Sequence, residues 1–363
     1  MARIAVVFGG PSPEHDISIL TGLQAARALL DLRSEVDAIY WSKSGEWFQV
    51  SPDLEAQAFV EGVPRKSERL EFVATPGGGF TGKRKRLDLS VIVNACHGGP
   101  GEDGTLQAAF DLAGLRYTGP NAAGAALTMD KLAFGGVAVA AGLASLPRSL
   151  VDEDGAPEFP APYIVKPRFG GSSIGIEVFE GYADALARLR TSPPLWRDGA
   201  VIEPYLPGSS DLNVAVRTYP SLQLSAIEAP VRKAGVAPIY SYGQKYLGGE
   251  GLAGADRELP AEIPEEMAHG IMESARRIAR VAGVRSVARI DFLRLGSDIW
   301  LNEVNSIPGA LAWYLWTDPP LSLGQLLTDM VSEASGGPSR QFFTVGADGA
   351  ALRAAGQIAN KLA

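Results

Sequence analysis

The sequence predicts a protein of the α/β (α+β) class, and three observations support this prediction. Strand and helix patterns alternate over the first third of the chain, as they do in open sheets that are covered by helices. A later segment has two β-rich runs joined by a short turn, which is typical of a β-hairpin. Hydrophobic residues make up 46% and charged residues 20% of the 363 residues, a composition typical of globular proteins of two or three domains.

The first unit, predicted at 1–130, contains the alternating elements. Its apolar strand runs are RIAVVFGG, EVDAIYWS and LSVIVNACHG, and the helical runs between and after them are SILTGLQAARALLDL and TLQAAFDLAG. This order predicts a small open sheet with helices on its faces. The Gly-rich segment TPGGGFTGKRKR, from Thr75 to Arg86, is predicted as a solvated turn, with phosphate binding as the weaker alternative.

Two further units are predicted at 131–206 and 207–363. The second unit begins with a helix at Lys131, continues through the strand PYIVKP and a Gly-rich turn, and ends with VIEPYL. The third unit contains further strands, a long helix from about Pro264 to Ala282, the hairpin, and a short Ala-rich helix near the C terminus. No internal repeat is visible.

Charge and cysteine content argue against several classes of partner. The net charge of -8 gives no electrostatic reason to expect nucleic acid binding. The single cysteine, Cys96, cannot form an internal disulfide, and no Cys and His residues have zinc-site spacing. No apolar run reaches the roughly 20 residues of a membrane helix, and the N-terminal run lacks the length and flanks of a signal peptide. We therefore expect a cytoplasmic protein without a membrane partner.

The hairpin RIDFLRLGSDIWLNEVNSIPG is unusually charged for two apolar runs. With a loop of about three residues centred on Ser297, side-chain alternation puts Asp291 opposite Glu303 and Arg289 opposite Asn305. Facing carboxylates repel each other unless a cation lies between them. Oxygen ligands of this kind suit Mg²⁺ better than Zn²⁺, so the pattern predicts a magnesium site. A surface hairpin with a solvated polar face is the alternative.

Two segments of the second unit could bind a nucleotide. In KPRFGGSSIG, glycines allow close approach of an anion, the hydroxyls of Ser172 and Ser173 add donors, and Lys166 could neutralise a phosphate. The segment lacks the Walker pattern, and an ordinary Gly-rich hairpin turn is the alternative. In VIEPYL, Glu203 could accept a hydrogen bond from the amine of adenine, or the segment could be an interdomain linker.

Three further segments are candidates for substrate contact. GGPSPEHDIS, with Glu14 and His15, and HGGPGEDGT, with His97, both follow strands of the first unit, and ligands of open α/β sheets bind at the carboxyl ends of strands. Capping or core packing is the alternative for each histidine. YSYGQKY precedes LGGEGLAG and is predicted as a lid that closes over substrate, with an edge strand and connector as the alternative.

Taken together and in this order, five segments resemble the D-alanine-D-alanine ligases of the ATP-grasp superfamily. They are FGGPSPEHDIS, HGGPGEDGTLQAAFDLAGLRYTGPNAAGAALTMDK, VKPRFGGSSIG, QKY, and RIDF followed by LNEVNSIPG. The resemblance covers about 1–331 and implies an ATP-grasp fold preceded by an open α/β domain. It also implies that ATP phosphorylates the carboxylate of one amino acid, and that the amine of a second amino acid attacks the acylphosphate.

The resemblance further implies roles for individual residues. The residues expected to bind ATP are Lys131, Lys166 and Lys245 at the phosphates, Glu203, Tyr205 and Leu206 at the adenine, and Asp211 at the ribose. Those expected to hold two Mg²⁺ ions, with Mn²⁺ as a substitute, are Asp291, Glu303 and Asn305. Those expected at the reacting groups are Glu14 at the first ammonium, Ser172 and Tyr246 in a hydrogen-bonded network with Glu14, and Arg289 with the Gly309 amide at the oxyanion.

The sequence departs from the family after NSIPG. The family usually continues with a stretch rich in Thr, Ser and His, whose serine holds the carboxylate of the second substrate. This chain has ALAWYLW instead. Tyr314 aligns with that serine, so we predict that Tyr314 and Trp313 shape the pocket for the second amino acid.

The function predicted from the resemblance is ligation of two D-alanine molecules for peptidoglycan precursors. A ligase of other amino acids in specialised metabolism, a non-catalytic ATP-binding relative, and a carboxylating enzyme that uses bicarbonate are the alternatives. Analogy with relatives predicts a homodimer.

Overall fold

The computed structural model describes residues 3–83, 85–191, 194–231, 257–337, 340 and 342–355. Within them, three β-sheets follow one another along the chain, of six, four and five strands. We call them the N-terminal, central and C-terminal sheets. The mixed α/β architecture predicted from the sequence is confirmed. None of the helices within these ranges is both long enough and apolar enough to cross a membrane.

The N-terminal sheet has the order β5-β4-β3-β2-β1-β6. Its strands are β1 Arg3–Gly9, β2 Glu35–Trp41, β3 Trp47–Val50, β4 Glu68–Val73, β5 Gly79–Thr81 and β6 Val91–Asn94. β1 pairs in parallel with β2 and β6, as expected for strands joined by helices, and β2 to β5 are antiparallel. The prediction of a solvated turn at 75–86 is wrong in part, because β5 lies within this segment and adds an edge strand.

Three helices accompany this sheet, namely α1 His15–Asp31, α2 Gly99–Glu102 and α3 Thr105–Ala113. A short 3₁₀ helix covers Ala56–Phe59. As predicted, the loops after β1 and β6 lie at the carboxyl ends of parallel strands. His15 is buried there, with Nδ1 2.6 Å from the Gly10 carbonyl and Nε2 3.1 Å from the Tyr40 hydroxyl. It is therefore a core histidine.

The central sheet is antiparallel, with the order β7-β10-β8-β9. Its strands are β7 Ser149–Leu150, β8 Tyr163–Pro167, β9 Glu177–Phe179 and β10 Ala200–Pro204. The helices before and within it are α4 Ala122–Met129, α5 Lys131–Ala140 and α6 Tyr182–Arg190, with a 3₁₀ turn at Pro194–Trp196. Asp130 caps α5 by accepting hydrogen bonds from two backbone amides. VIEPYL contains β10, so the alternative of an interdomain linker is wrong.

The C-terminal sheet has the order β13-β12-β11-β14-β15. Its strands are β11 Ser210–Arg217, β12 Gln223–Pro230, β13 Arg257–Glu258, β14 Val287–Leu295 and β15 Asp298–Asn305. α7, Glu265–Val281, confirms the predicted long helix, and its buried Met267, Ile271, Ala275 and Ile278 have the spacing of one helical face. These residues form one core with the inward side chains of β11, β14 and β15.

After the hairpin the chain returns to the N-terminal sheet. A 3₁₀ segment, Gly309–Leu315, leads to α8 Leu323–Gly336, and a short helix, α9 Ala350–Ala355, follows. Leu326, Leu327 and Met330 of α8 are buried in the same core as Val6 and Leu29 of the N-terminal unit. The last part of the chain therefore completes the core of the first part.

Candidate active site

The hairpin has the predicted pairing at its charged end, although its turn differs from the prediction. Leu295 pairs with Asp298, so the turn has two residues, Gly296 and Ser297, with Gly296 at φ +61°. The register then shifts between Asp291 and Phe292. This β-bulge at Asn302 restores the pairing of Asp291 with Glu303 and of Arg289 with Asn305.

The bulge decides which side chains face the site. Leu301 and Val304 are both buried in the core, whereas Asn302 and Glu303 between them both line a cleft. Regular alternation would have sent one of these two polar residues into the core. Asn302 was not a predicted site residue, because a bulge changes which face a side chain occupies and its position cannot be read from alternation.

The two facing carboxylates are partly neutralised by cations. Arg289 donates two hydrogen bonds of 2.7 Å to the two oxygens of Asp291, and Asn305 Nδ2 donates to Asp291 Oδ2 at 3.0 Å. The charge of Glu303 acts on Lys131 across the cleft. Asp291 is only 8% exposed, so the alternative of a solvated surface hairpin is wrong.

A row of polar residues extends from this pair across the sheet. Glu228 of β12 pairs with Asn213 of β11, Asn213 pairs with Asp291 of β14, and Asp291 pairs with Glu303. Asn213 Nδ2 donates to Glu228 Oε2 at 3.0 Å. Asn213 and Glu228 were not predicted, because their place in the row depends on strand order, which the sequence alone does not reveal.

The cleft is a space of about 280 Å³ between the central and C-terminal sheets. The residues that line it include Lys131, Lys166, Gly170 to Ile174, Glu203 to Leu206, Asp211, Arg257, Arg289, Asp291, Glu303 and Tyr314. Most of the residues predicted at the nucleotide and the metal are therefore brought together. Lys245, Tyr246 and the predicted lid fall outside the described residues.

Glu203 lies at the bottom of the cleft between two cations. Lys166 Nζ donates to Glu203 Oε2 at 2.8 Å and to Asn302 Oδ1 at 3.2 Å. Arg148 Nε lies 3.0 Å from Glu203 Oε1, as an ion pair without hydrogen-bond geometry. Burial alone would raise the pKa of Glu203, but the charges of Lys166 and Arg148 outweigh it and hold the pKa below its ordinary value.

Arg148 is a buried functional candidate that the sequence did not reveal. It donates hydrogen bonds to the backbone carbonyls of Lys131, at 2.7 Å, and of Asn302, at 2.5 Å. It therefore fixes the start of α5 to the bulge of β15. A single arginine ahead of a two-residue strand carries no recognisable motif.

Lys131 and the Gly-rich turn close the cleft from above. Lys131 Nζ donates to the Gly170 carbonyl, and burial lowers the pKa of Lys131, assisted by the neighbouring charges of Lys166 and Arg148 and opposed by the charge of Glu303. In the turn between β8 and β9, Ser172 and Ser173 have φ values of +52° and +58°. Such a left-handed conformation is uncommon for serine and often occurs at functional sites.

The turn contacts Glu14 from the N-terminal unit. Ser172 Oγ donates to Glu14 Oε2 at 2.6 Å. A Cβ atom on Gly171 would lie 2.5 Å from Glu14 Oε1, so glycine is required for the turn to approach the carboxylate this closely. The predicted pairing of Ser172 with Glu14 is thus present as a direct hydrogen bond.

A small cavity of about 40 Å³ adjoins the cleft at Glu14. Its lining includes residues of all three units, among them Glu14, His97, Glu102, Ser172, Arg289, Asn305 and Gly309. The predicted ammonium ligand and the predicted oxyanion groups therefore face one space.

His97 holds the backbone beside Gly309. Its Nδ1 lies 2.5 Å from the Ile307 carbonyl, and its Nε2 lies 2.8 Å from Thr21 Oγ1, which accepts from the Ala310 amide at 3.1 Å. Burial lowers the pKa of His97 to about 4, so the ring is neutral and donates to the carbonyl. Both nitrogens are bonded to protein, so the structure favours a positioning role over the predicted substrate contact.

Glu102 holds the same backbone from a second side. Its Oε1 accepts from the Ile307 amide at 2.8 Å and from Ser306 Oγ at 3.2 Å, and its Oε2 accepts from the Gly98 amide at 2.9 Å. Burial, together with the charge of Glu14, raises the pKa of Glu102 to about 7. Glu102 lies within HGGPGEDGT, and that motif was the signal by which it could have been found.

The two aromatic residues predicted at the second substrate lie in different places. Tyr314 lines the cleft. Trp313 packs against the core of the N-terminal unit and lines neither the cleft nor the small cavity. Only Tyr314 thus has the position that the prediction requires, because the 3₁₀ segment turns successive side chains in different directions.

Comparisons with known proteins identify the family of the chain. The family described as "D-ala D-ala ligase N-terminus" matches residues 3–120, and the family described as "D-ala D-ala ligase C-terminus" matches residues 149–332. The chain belongs to the D-alanine-D-alanine ligase family. The family predicted from the sequence motifs is therefore confirmed.

Curated relatives in this family align over most of their length. D-alanine-D-alanine ligases from Campylobacter concisus and Thermosipho melanesiensis are 28% and 29% identical, with 91% and 92% of this chain and 93% of each relative aligned. A third, from Prochlorococcus marinus, is 31% identical over 91% of this chain and 98% of the relative.

Solved structures show the same fold. A D-Ala:D-Ser ligase from Enterococcus faecalis has a TM-score of 0.74 at 23% identity, covering 92% of this chain and 99% of that structure. The D-alanyl-alanine synthetase A of Vibrio cholerae has a TM-score of 0.76 at 20% identity, covering 93% and 99%. The ATP-grasp fold predicted from the motifs is confirmed. As a family member the protein is an ATP-dependent ligase that forms a carbon–nitrogen bond, and the family uses a divalent metal.

Proposed function

We propose that the protein joins two molecules of D-alanine at the expense of ATP, making D-alanyl-D-alanine for peptidoglycan precursors. The main support for this proposal is that two adjoining cavities share part of their lining. The small cavity, with Glu14, Arg289 and Gly309, opens beside the cleft with its lysines and carboxylates, and the two share Lys131, Ser172 and Glu303. A substrate carboxylate in the first would lie next to a phosphate in the second.

ATP is proposed to occupy the cleft. Lys131 and Lys166 are cations on its wall, and Ser173 adds a donor in the turn above them. Tyr205 and Leu206 follow β10 at the adenine end with Glu203, and Asp211 begins β11 at the ribose end. Lys166 would have to divide its donors between Glu203 and a phosphate, which a three-donor ammonium group can do.

The residues at the hairpin fit a hard divalent metal ion. Asp291 and Glu303 face each other across β14 and β15, and Asn305 lies two pairs further along. We propose that these three residues hold two Mg²⁺ ions, with Mn²⁺ as a substitute, because their donor atoms are all oxygen. Bound metal would neutralise phosphate charge during phosphoryl transfer.

The small cavity is proposed to hold the first amino acid. Glu14 would bind its ammonium group, with the carboxylate oriented by Ser172. The substrate carboxylate oxygen would attack the terminal phosphorus and release ADP. The amine of the second amino acid would then attack the acyl carbon, lose a proton, and displace inorganic phosphate, while Arg289 and the Gly309 amide stabilise the oxyanion.

The alternatives differ in their support. A ligase of other amino acids is favoured only by Tyr314, which stands at the position of the family's serine. A non-catalytic relative is disfavoured by the convergence of Lys131, Lys166 and Arg289. Nothing in the site favours bicarbonate over an amine.

We also propose a homodimer, by analogy with the family, and a cytoplasmic location, since the reaction consumes ATP.

The test is a substrate panel. Pure protein is incubated with ATP, Mg²⁺ and pairs of D- and L-amino acids, and phosphate release and product mass are measured. We expect D-alanine alone to give a dipeptide of the expected mass. Phosphate release with other pairs only, or with bicarbonate, would contradict the proposal, and reactions without ATP serve as the control.

A further inference from the structure

Tyr314 contacts two guanidinium groups in the cleft, those of Arg289 and Arg257. Arg289 donates a hydrogen bond to its hydroxyl. The guanidinium carbon of Arg257 lies 4.5 Å from the centre of its ring, a distance typical of a cation–π contact. The same tyrosine therefore contacts Arg289 through its hydroxyl and Arg257 through its ring.

Arg257 begins β13 at the edge of the C-terminal sheet and points into the cleft. Its side chain is 11% exposed, and its Nη1 atom lies 2.9 Å from Glu228 Oε1. This pair lacks hydrogen-bond geometry at Nη1, and the tyrosine ring packs against the same guanidinium. Glu228 in turn is fixed by Asn213 through its other oxygen.

Four cations of the described chain line the cleft, namely Lys131, Lys166, Arg257 and Arg289. The two lysines donate to the Gly170 carbonyl and to the Glu203 carboxylate, and both are proposed to bind phosphate. Arg289 directs two donors to Asp291 at the proposed reaction centre. Arg257 is the cation on the other side of Tyr314, where the proposed reaction has no other use for a positive charge.

We propose that Arg257 binds the α-carboxylate of the second amino acid and thereby positions its amine beside Arg289. This inference rests on the proposed ligase function and adds a specificity-determining residue to it. A guanidinium presents five N–H donors on two edges, so it can serve Glu228 and a substrate carboxylate together. The neutral phenol of Tyr314 provides a further donor between the two ends of the substrate.

The same geometry restricts the side chain of the second amino acid. Arg257 would already balance the charges of Glu228 and the α-carboxylate, so a further carboxylate on the substrate side chain would be repelled and acidic amino acids are disfavoured. The Tyr314 ring fills space at the end of the cleft, so short side chains are favoured. A small neutral amino acid with a free carboxylate is the substrate class that fits.

The experiment compares D-alanine with D-alaninamide as the second substrate in the wild-type protein and in Arg257→Gln. The amide keeps the attacking amine but lacks the carboxylate. We expect Arg257→Gln to raise KM for the second D-alanine by about tenfold to one hundredfold, the range for losing a hydrogen bond between charged groups. KM for D-alaninamide should change less than about twofold, because it has no negative charge for Arg257 to bind.

Two further variants make the result decisive. Arg294→Gln removes an arginine of β14 that lies outside the cleft and donates to the Gly296 carbonyl. This variant should leave KM for D-alanine and KM for D-alaninamide unchanged. Arg257→Lys keeps the charge without the planar fork, and should give a smaller rise for D-alanine and none for the amide. Arg257→Lys is also the test variant if Arg257→Gln does not fold.

The outcomes separate the two proposals. Equal rises for D-alanine and D-alaninamide in the Arg257 variants, or no rise for either, would overturn the assignment and leave Arg257 a packing partner of Tyr314. If wild-type protein forms no dipeptide from any D-amino acid pair, the proposed function itself fails. KM for ATP is measured in each variant, and a rise equal to that for D-alanine would also count against the assignment.

Discussion

At the Glu14 end of the cleft, hydrogen bonds from α1 and from the segment 97–102 hold the backbone at 306–310, whereas at the Arg257 end a cation packs against an aromatic ring. His97, Thr21 and Glu102 fix the backbone at 306–310 with distances of 2.5 to 3.2 Å. Arg257 instead rests on Tyr314 and pairs with Glu228 without hydrogen-bond geometry at Nη1. Short, directional bonds constrain a group more than charge contacts do.

The two ends of the cleft also differ in how closely their sequences match the family motifs. The residues at the Glu14 end lie in segments that resemble the family, while Tyr314 lies where the sequence departs from it. The proposed reaction centre thus carries the family motifs, and we propose that the acceptor end selects the second substrate. If the two ends differ in this way, loss of a proposed metal ligand should have the largest effect on turnover, and loss of the Tyr314 hydroxyl should have the smallest effect on substrate binding.

Glu303→Gln should lower kcat at least about a hundredfold, because it removes one negative ligand from the proposed metal site while conserving shape. Turnover is measured over a range of Mg²⁺ concentrations, and folding is checked by circular dichroism. Asp298→Asn, on the same strand near the turn, is the control. Near wild-type turnover of a folded variant at modest Mg²⁺ would show that Glu303 is not a metal ligand.

Protonation of His97 should destabilise the fold at low pH. The unfolded histidine binds a proton below pH 6.5, whereas burial delays protonation in the folded protein to about pH 4, so stability is lost as pH falls between these values. The loss is on the order of 3 kcal/mol. Denaturant unfolding of wild type and His97→Gln at several pH values measures it.

The pKa shift of Glu102 changes the stability of the fold with pH in the direction opposite to that of His97. Glu102 therefore serves as the internal comparison. Its folded pKa of about 7 lies above the ordinary 4.5, so its contribution to stability is present at low pH and lost as pH rises towards 7. Glu102→Gln should remove that slope and leave the low-pH loss from His97. A His97→Gln protein with the same pH dependence as wild type would contradict a buried, neutral His97.

Gly171→Ala should raise KM for the first amino acid by about tenfold or more. The added Cβ would lie 2.5 Å from Glu14 Oε1, which forces the carboxylate away from the ammonium site. Gly136→Ala in α5 is the matched control, since no atom lies within 4 Å of its added Cβ. If KM for the first amino acid is unchanged in both variants, the turn can move without displacing Glu14.

Tyr314→Phe should raise KM for the second amino acid by only about three- to tenfold. The aromatic ring against Arg257 is retained and only the hydroxyl is lost, which corresponds to an ordinary hydrogen bond. KM for ATP and for the first amino acid are measured together with it. A larger rise in KM for ATP than for the second amino acid would indicate that Tyr314 contacts the nucleotide and not the second amino acid.

Much of this organisation could be predicted from the sequence, and the failures have physical causes. The Asp291–Glu303 pairing was correct because a shorter turn and the bulge at Asn302 compensate each other. Alternation and motifs cannot place Arg148, whose contacts join residues that are far apart in sequence. Trp313 was wrongly grouped with Tyr314, since neighbours on a 3₁₀ segment face different sides.

The return of α8 to the N-terminal sheet has a consequence for how the chain can be divided. The N-terminal family match ends at residue 120, yet Leu326, Leu327 and Met330 lie fully inside that unit's core. A fragment cut at the family boundary would expose the apolar face that these side chains cover. The first unit thus depends for its folding on residues synthesised about two hundred positions later, and a ribosome-bound N-terminal half would remain incomplete until they emerge.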